Sequence, residues 1–168
     1  AMVAPAIEGQ FGTATLPQIK AAIRELGFAD VYEVALGADM VAYNEAEELL
    51  ERKAEGQAMT SSCCPAFVNM VRKHFPDMMK YVSTTVSPMV AVERYIRSMR
   101  PNVLTVFIGP CIAKKNEVMG QYIDEIDFAL TFEELYAMMC ARDIEPHDTE
   151  AAGEDATRYG KGFALSGG

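Results

Sequence analysis

The sequence predicts an α/β domain with a mainly parallel sheet flanked by helices, and three features of the chain support that fold class. Short β-branched and aromatic runs alternate with segments in which apolar residues recur at helical spacing. The run at residues 103–108 is almost wholly apolar, as in a parallel strand buried on both faces. Helix-start signals follow several of these runs, and such alternation is typical of a parallel sheet.

The individual elements are predicted in order from these signals. Strands are expected at residues 2–4, 31–36, 103–108 and 128–130. Helices are expected to begin after capping residues or before prolines, at Thr15, Asp39, Cys64, Ser87 and Thr131. Thr15 and Thr131 are each followed three residues later by Gln or Glu, which is the capping-box pattern. The polar stretch at residues 143–159 is predicted to be a loop.

Two helices have apolar side chains at helical spacing, and these identify the faces that we expect to be buried. In the second helix they are Met40, Tyr43, Ala46 and Leu50. In the fourth helix they are Val92, Tyr95, Ile96 and Met99.

Length, charge and cysteine content restrict the class of protein. The 168 residues suit one compact domain, and a formal net charge of −9 argues against nucleic-acid and anionic-membrane partners. No apolar run reaches membrane-spanning length, and no secretory signal opens the chain. The four cysteines, at 63, 64, 111 and 140, do not form the framework of a secreted disulfide-rich protein. A cytoplasmic location is therefore expected.

Three of the four cysteines lie at predicted turns where a ligand would be expected. Ligands of open α/β sheets gather where strands end and helices begin. Cys63 and Cys64 precede a helix, and Cys111 directly follows the run at 103–108. Thiolates at such positions are good soft-metal ligands, although buried cysteines can also be plain small hydrophobes. Cys140, in the middle of an apolar helical segment, is interpreted in that second way.

The second helix has a charged face. Glu45, Glu48 and Arg52 are spaced i, i+3 and i+7, which places them on one side of the helix. From spacing alone, a solvated ion-pair face is the simpler interpretation.

Two motifs carry a resemblance to a known family. "TSSCCP" at residues 60–65 and "PCIAKKNE" at residues 110–117 resemble the Thr-Ser-Cys-Cys-Pro and Pro-Cys-x-x-Lys-Lys-x-Glu signatures of iron-only (FeFe-type) hydrogenases. The resemblance extends from the opening "VAPAI" to the closing "FALSGG". It implies that residues 1–168 are one lobe of the two-lobed catalytic domain, without the later lobe that carries a third cysteine motif.

The resemblance implies a cofactor and its ligands. It is a 4Fe-4S cluster joined to a two-iron subsite, with Cys64 and Cys111 as two of the cluster ligands. Lys114 would hold a cyanide ligand of the two-iron subsite. Further positions around that subsite would be Pro5, Ala6, Met89, Gly109 and Phe163. Because a cubane needs four thiolates, this chain alone is expected to be inactive and without a stable cluster.

The resemblance also reverses the interpretation of the charged helix face. In the family, protons pass from a cysteine through a glutamate, a serine and a second glutamate to an arginine. The matching positions here are Cys63, Glu45, Ser83, Glu48 and Arg52.

Several positions depart from the family pattern. Gly109 stands where high-turnover hydrogenases usually have methionine, Met89 where glutamine is common, and Ala6 where serine is frequent. Altered residues around the two-iron subsite together with an intact proton relay resemble the sensory branch of the family.

The expected function is therefore reversible oxidation of H2 and reduction of protons, with hydrogen sensing as a possible use. The implied partners are a ferredoxin-like electron carrier or attached iron–sulfur modules, and maturation proteins. Residues 1–168 alone are also expected to be able to dimerise. One alternative is a hydrogenase-like iron–sulfur protein for electron transfer, cluster assembly or signalling. Another is an interaction domain that binds no metal.

Overall fold

A parallel sheet forms the centre of the structure, as the sequence predicts. The computed structural model describes residues 1–120, 124–151 and 159–164, without the side chains of residues 163 and 164. Its strands pair in the order β2-β1-β3-β4, and every pairing is parallel. They are β1 (Met2–Val3), β2 (Tyr32–Glu33), β3 (Val106–Ile108) and β4 (Phe128–Leu130). The predicted α/β class is confirmed.

Helices connect and cover the strands. The α-helices are α1 (Leu16–Glu25), α2 (Ala35–Ala54), α3 (Pro65–His74), α4 (Pro88–Met99), α5 (Ala113–Met119) and α6 (Phe132–Cys140). Short 3-10 turns lie at Pro5–Ile7, Pro76–Tyr81, Pro146–Asp148 and Gly160–Ala164. Within the described ranges, no helix is long and apolar enough to cross a membrane.

The two capping boxes start helices where the sequence predicts them. The Thr15 N–H donates to Gln18 Oε1 at 2.9 Å, just before α1. At α6 the Thr131 N–H donates to Glu134 Oε2 at 2.8 Å, and the Glu134 N–H donates to Thr131 Oγ1 at 3.2 Å. These bonds satisfy N–H groups that a helix start leaves without intrahelical partners.

The carboxyl ends of the two central strands lie side by side. Beyond β1, the Ala4 N–H donates to the Ile108 carbonyl at 2.8 Å, and beyond β3 the Gly109 N–H donates to the Leu130 carbonyl at 3.0 Å. The sheet therefore places the turn that begins at Pro5 and the chain that leads to Cys111 at the same edge.

The boundary between β2 and α2 differs from the prediction. The strand has two residues rather than the predicted six, and α2 begins at Ala35 rather than after Asp39. The first turns of α2 cross α4 closely, and small side chains allow this approach. A Cβ added to Gly37 would lie 2.1 Å from the Pro88 carbonyl oxygen. β3 is also shorter than predicted, and Leu104, ahead of it, is 75% exposed.

The buried face predicted for α2 is wrong. Tyr43 and Leu50 are 65% and 68% exposed, and Ala46 is exposed as well. The second half of this helix turns half-buried charged residues inward instead, namely Glu45, Glu48 and Arg52. Hydrogen bonds compensate for their burial, so a hydrophobic pattern cannot identify that face.

The α4 prediction is partly wrong for a related reason. Val92 and Ile96 are buried as expected, but Tyr95 and Met99 are 39% and 49% exposed. The inner face of α4 also includes Glu93, which is buried and paired with Arg97.

The C-terminal part of the chain departs from one expectation, while the predicted loop is confirmed over its described residues up to 151. Cys140 is exposed at the end of α6, so its interpretation as a buried hydrophobe is wrong. The predicted loop after residue 143 contains the Pro146–Asp148 turn, which packs against α1 through a 2.8 Å bond from Thr149 Oγ1 to the Gln18 carbonyl. Residues 152–158 of that predicted loop lie outside the described part.

Candidate functional site

The two predicted metal-ligating cysteines lie at the starts of neighbouring helices. Cys64 is extended and caps α3, and its Sγ accepts the Phe67 N–H at 3.5 Å. Cys111 precedes α5 by two residues. Both side chains are exposed, and neither is in a disulfide. A helix N-terminus favours negative charge, so the placement of Cys64 suits a thiolate that ligates a metal.

Lys114 joins the two cysteine turns. Lys114 lies in α5, and its Nζ donates to the Cys63 carbonyl at 3.3 Å. The same Nζ forms an ion pair with Glu117 at 2.7 Å. The Lys114 and Glu117 side chains are only 14% and 8% exposed. The sequence reasoning assigned no role to Glu117, although the i, i+3 spacing within "KKNE" could have identified the pair. In this arrangement Glu117 orients the ammonium group beside the Cys63 turn.

Glu45 is held against the same turn. The Ser61 hydroxyl donates to Glu45 Oε1 at 2.9 Å, and the Ser62 N–H donates to the same oxygen at 3.1 Å. The Cys63 N–H in turn donates to Ser61 Oγ at 3.3 Å. Ser61 was missed by the sequence reasoning, and no local pattern distinguishes it from the serine beside it.

Glu48, one turn further along α2, is at the centre of a second cluster. Ser83 Oγ donates to Glu48 Oε2 at 2.6 Å, and the Thr84 N–H lies 3.1 Å from both carboxylate oxygens. Arg52 Nη2 donates to Glu48 Oε1 at 2.6 Å. Arg52 is itself fixed by a 2.8 Å bond from Nη1 to the Lys80 carbonyl. Three of the five predicted relay residues therefore contact one another directly.

The surroundings of Glu48 lower its pKa. Burial alone raises the pKa of this carboxyl, but the hydrogen bonds from Ser83, the Thr84 N–H and Arg52 outweigh it and hold the value below the ordinary range. Glu48 is therefore ionised at neutral pH, and these hydrogen bonds favour its charged form.

The two clusters are connected by the segment that precedes α4. The Ser62 hydroxyl donates to the Thr85 carbonyl in a short hydrogen bond, and the Thr85 N–H donates to Ser83 Oγ at 3.0 Å. Among the described residues, no direct hydrogen bond joins Glu45 to Ser83. A cavity of about 710 Å³ adjoins this gap and is lined in part by Ser62, Ser83 and Ser87. Its lining includes both polar and apolar side chains, and it is large enough to hold water.

The remaining predicted positions fall into two groups. Pro5 and Ala6 lie in a turn that packs on the Gly160–Ala164 turn. An ion pair of 2.7 Å between Lys161 and Glu8 joins the two segments. Phe163 belongs to the Gly160–Ala164 turn, and its side chain lies outside the described atoms. Met89 belongs to the hydrophobic core, and Gly109 is buried at the end of β3.

The whole chain, residues 1–168, matches the family model described as "Iron only hydrogenase large subunit, C-terminal domain". The chain belongs to this family. It is 31% identical over 144 residues to iron hydrogenase 1 of Clostridium pasteurianum. This match covers 77% of this chain and 25% of that protein. It is also 27% identical over 133 residues to the cytosolic Fe-S cluster assembly factor NAR1 of Meyerozyma guilliermondii. That match covers 70% of this chain and 25% of that protein.

A solved hydrogenase has the same fold. The FeFe-hydrogenase HydA1 of Chlamydomonas reinhardtii, determined as a single-residue variant, matches with a TM-score of 0.83 at 28% identity. The match covers 92% of this chain and 45% of that one. The chain thus spans about a quarter of the two relatives' length and less than half of the solved structure. Its relatives include both hydrogenases and assembly factors, so family membership alone does not assign an activity.

Proposed function

We propose that this chain is the proton-relay lobe of an iron-only hydrogenase that catalyses reversible H2 oxidation and proton reduction when complete. The observation that supports this proposal is the line of half-buried acidic and basic side chains along α2. It begins at Glu45, held against the Cys63 turn, and ends at Arg52. Buried charges are costly unless they are hydrogen-bonded, and three along one helix face indicate a functional demand.

The donors around the cysteine turns fit an iron–sulfur cofactor. Cys64 and Cys111 are exposed thiols at neighbouring turns, and thiolates are the ligands that 4Fe-4S clusters use. These two residues would hold the cluster on this lobe, and two further thiolates would come from outside residues 1–168. When bound, the joined cluster and two-iron subsite would supply electrons and the metal at which hydrogen reacts. Pro5, Ala6 and Gly109 would lie beside the two-iron part, with Met89 and Phe163 further around it.

Lys114 would act as an electrostatic anchor. Its ammonium lies 3.3 Å from the Cys63 carbonyl and is oriented by Glu117. A cation fixed at this point can hold an anionic ligand of the cofactor, such as cyanide, by a charge-assisted hydrogen bond.

Protons would travel between the cofactor and solvent through the side chains of α2. The Cys63 thiol would exchange a proton at Sγ with the Glu45 carboxylate, which the Ser61 hydroxyl and the Ser62 N–H hold in place. Water would bridge Glu45 to Ser83, whose side chain lines the adjoining cavity, and Ser83 Oγ already donates to Glu48. Glu48 would then pass the proton outward at Arg52.

The same proposal implies partners for the complete protein, and the cysteine content supports a cytoplasmic location. We expect a cytoplasmic protein that exchanges electrons with a ferredoxin-like carrier or with attached iron–sulfur modules and receives its two-iron subsite from maturation proteins. The substitutions at Ala6, Met89 and Gly109 favour a hydrogen-sensing use over bulk turnover.

A second candidate is an iron–sulfur protein without hydrogen chemistry, which the similarity to the assembly factor favours. The relay is the discriminating feature, because a cluster used only for assembly or electron transfer needs no proton path.

The test is hydrogen turnover by the complete, matured protein. We expect H2 oxidation with an artificial electron acceptor, and a loss of roughly 100-fold or more in Glu48→Gln, since that variant keeps the shape of the relay but not its acid. Glu51→Gln, on the exposed side of α2, is the matched control and should retain the rate. A protein with a full complement of iron and no hydrogen turnover would favour the second candidate.

A further inference from the structure

The cavity of about 710 Å³ beside Ser83 is lined by two cations without a carboxylate partner. They are Arg72 and Lys73, in the last turn of α3. Most of the described lysine and arginine side chains pair with a carboxylate. Within the described ranges Arg72 and Lys73 form no such pair, although the net charge of the chain is −9. The two cations therefore favour an anion in this cavity.

The rest of the lining does not oppose an anion. The one carboxylate on it belongs to Glu117, whose charge is balanced by Lys114 at 2.7 Å. The other polar side chains of the lining are neutral hydroxyls and amides, and all of them can donate hydrogen bonds. The cavity thus combines two unpaired positive charges with several neutral donors.

A buried hydroxyl on the lining supplies a second, independent observation. Ser87, which precedes α4, is only 3% exposed, and its Oγ has no hydrogen-bond partner among the described residues. Buried polar groups are nearly always hydrogen-bonded. Basic residues in the last turn of a helix complement the helix dipole, and this would account for Arg72 and Lys73 alone. It does not account for the Ser87 hydroxyl, which a ligand in the cavity would satisfy.

We propose that this cavity binds a small organic acid through its carboxylate or phosphate group. Arg72 and Lys73 would bind the anionic oxygens by charge-assisted hydrogen bonds, and Ser87 would donate a further bond from the buried part of the lining. The apolar part of the ligand would pack on the apolar lining residues, which include Val68, Met79 and Val82. The volume is within the range of small-molecule sites, about 300–1,000 Å³. This site goes beyond the proposed function and requires no hydrogen chemistry.

Isothermal titration calorimetry with the complete protein tests the proposal. The probes are phenyl phosphate and benzoate, with benzamide as the neutral counterpart of benzoate. Both anions should bind, and benzamide should bind roughly tenfold more weakly or not at all, since it lacks the charge. Arg72→Gln/Lys73→Gln should weaken anion binding by roughly tenfold or more, and both positions are exposed, so the fold should be retained. Ser87→Ala should weaken it about fivefold, the effect of one lost hydrogen bond.

Lys53→Gln/Arg142→Gln is the matched control, because it removes the same charge from two exposed positions outside the cavity lining. This variant should keep its affinity for both anions. An equal loss in the two double variants would show only a general attraction to the charge of the protein and would overturn the site.

Two further results would overturn the site, namely no binding of either anion, or benzamide binding as tightly as benzoate. A tetraglutamate peptide that binds more tightly than phenyl phosphate would overturn the small-molecule assignment in favour of an acidic protein surface. Anion binding that depends on Arg72 and Lys73 in a protein without hydrogen turnover would support the site and refute only the proposed function.

Discussion

Single residues on α2 show how the fold holds charge inside the protein without a large energetic cost. The Glu48 carboxylate accepts from Ser83, from the Thr84 N–H and from Arg52, so its burial is compensated by hydrogen bonds. Hydrogen bonds to the ionised form are stronger than those to neutral groups. The same bonds that stabilise the fold hold Glu48 in its ionised form.

This arrangement predicts how stability depends on pH. The pKa of Glu48 is lowered in the folded state, so its contribution to the free energy of unfolding is complete above the ordinary carboxyl range. It is lost as pH falls through the folded pKa. Glu48→Gln should therefore cost roughly 1–3 kcal/mol at pH 7, and the difference from the original chain should shrink in acid. Urea unfolding at pH 7 and below pH 4 measures it, with Glu51→Gln as the control. A constant difference at all pH values would contradict this explanation.

At the scale of elements, the sequence predicts best where local chemistry sets the boundary. Capping boxes at Thr15 and Thr131, and prolines after Cys64 and Ser87, mark helix starts that the structure has. The start of α2 could not be predicted in this way, because no side-chain cap or proline marks it. The inner face of α2 was also misassigned, since its burial is sustained by hydrogen bonds from residues distant in sequence.

The crossing of α2 and α4 makes an element-scale prediction. A Cβ at Gly37 would lie 2.1 Å from the Pro88 carbonyl and 2.6 Å from Val92 Cγ2, and neither backbone can move freely. Gly37→Ala should lower the free energy of unfolding by roughly 1–3 kcal/mol, despite the higher helix propensity of alanine. Chemical denaturation measures the change, and Gly162→Ala, where a Cβ meets no neighbour, is the control. A stabilised Gly37→Ala chain would show that the helices can separate at low cost.

At the scale of the whole molecule, the candidate site lies at one edge of the sheet and is open to solvent. Cys64 and Cys111 are exposed there, as are Ile112 and Met119, at 74% and 69%. Among the described residues, no group of three or more Cys, His, Asp or Glu side chains is arranged to hold a metal ion. The motifs predicted where the cysteines would lie. They could not predict Ser61, whose role depends on contacts between elements, whereas the spacing within α5 could have identified Glu117 as the partner of Lys114.

The number of thiolates leads to a prediction for residues 1–168 alone. A cubane uses four thiolates, and this lobe offers Cys64 and Cys111 at the site. Anaerobic reconstitution followed by iron and sulfide analysis should leave no stable cluster on the monomer. Four irons and four sulfides per monomeric chain would contradict the proposed ligand set. A stable cluster found only in a dimer would show instead that two lobes share it.

The central claim is that the adjacent cysteines have different tasks, and substitution of each in the complete, matured protein tests it most directly. Iron content and hydrogen turnover are measured together for Cys63→Ala and Cys64→Ala. Cys63→Ala should keep its iron and lose most of its turnover, because a methyl group cannot carry a proton. Cys64→Ala should lose iron, since the cluster loses an anchoring thiolate. Loss of iron in Cys63→Ala with a full complement in Cys64→Ala would contradict the assignment, and unchanged hydrogen turnover in both would contradict the hydrogenase proposal itself.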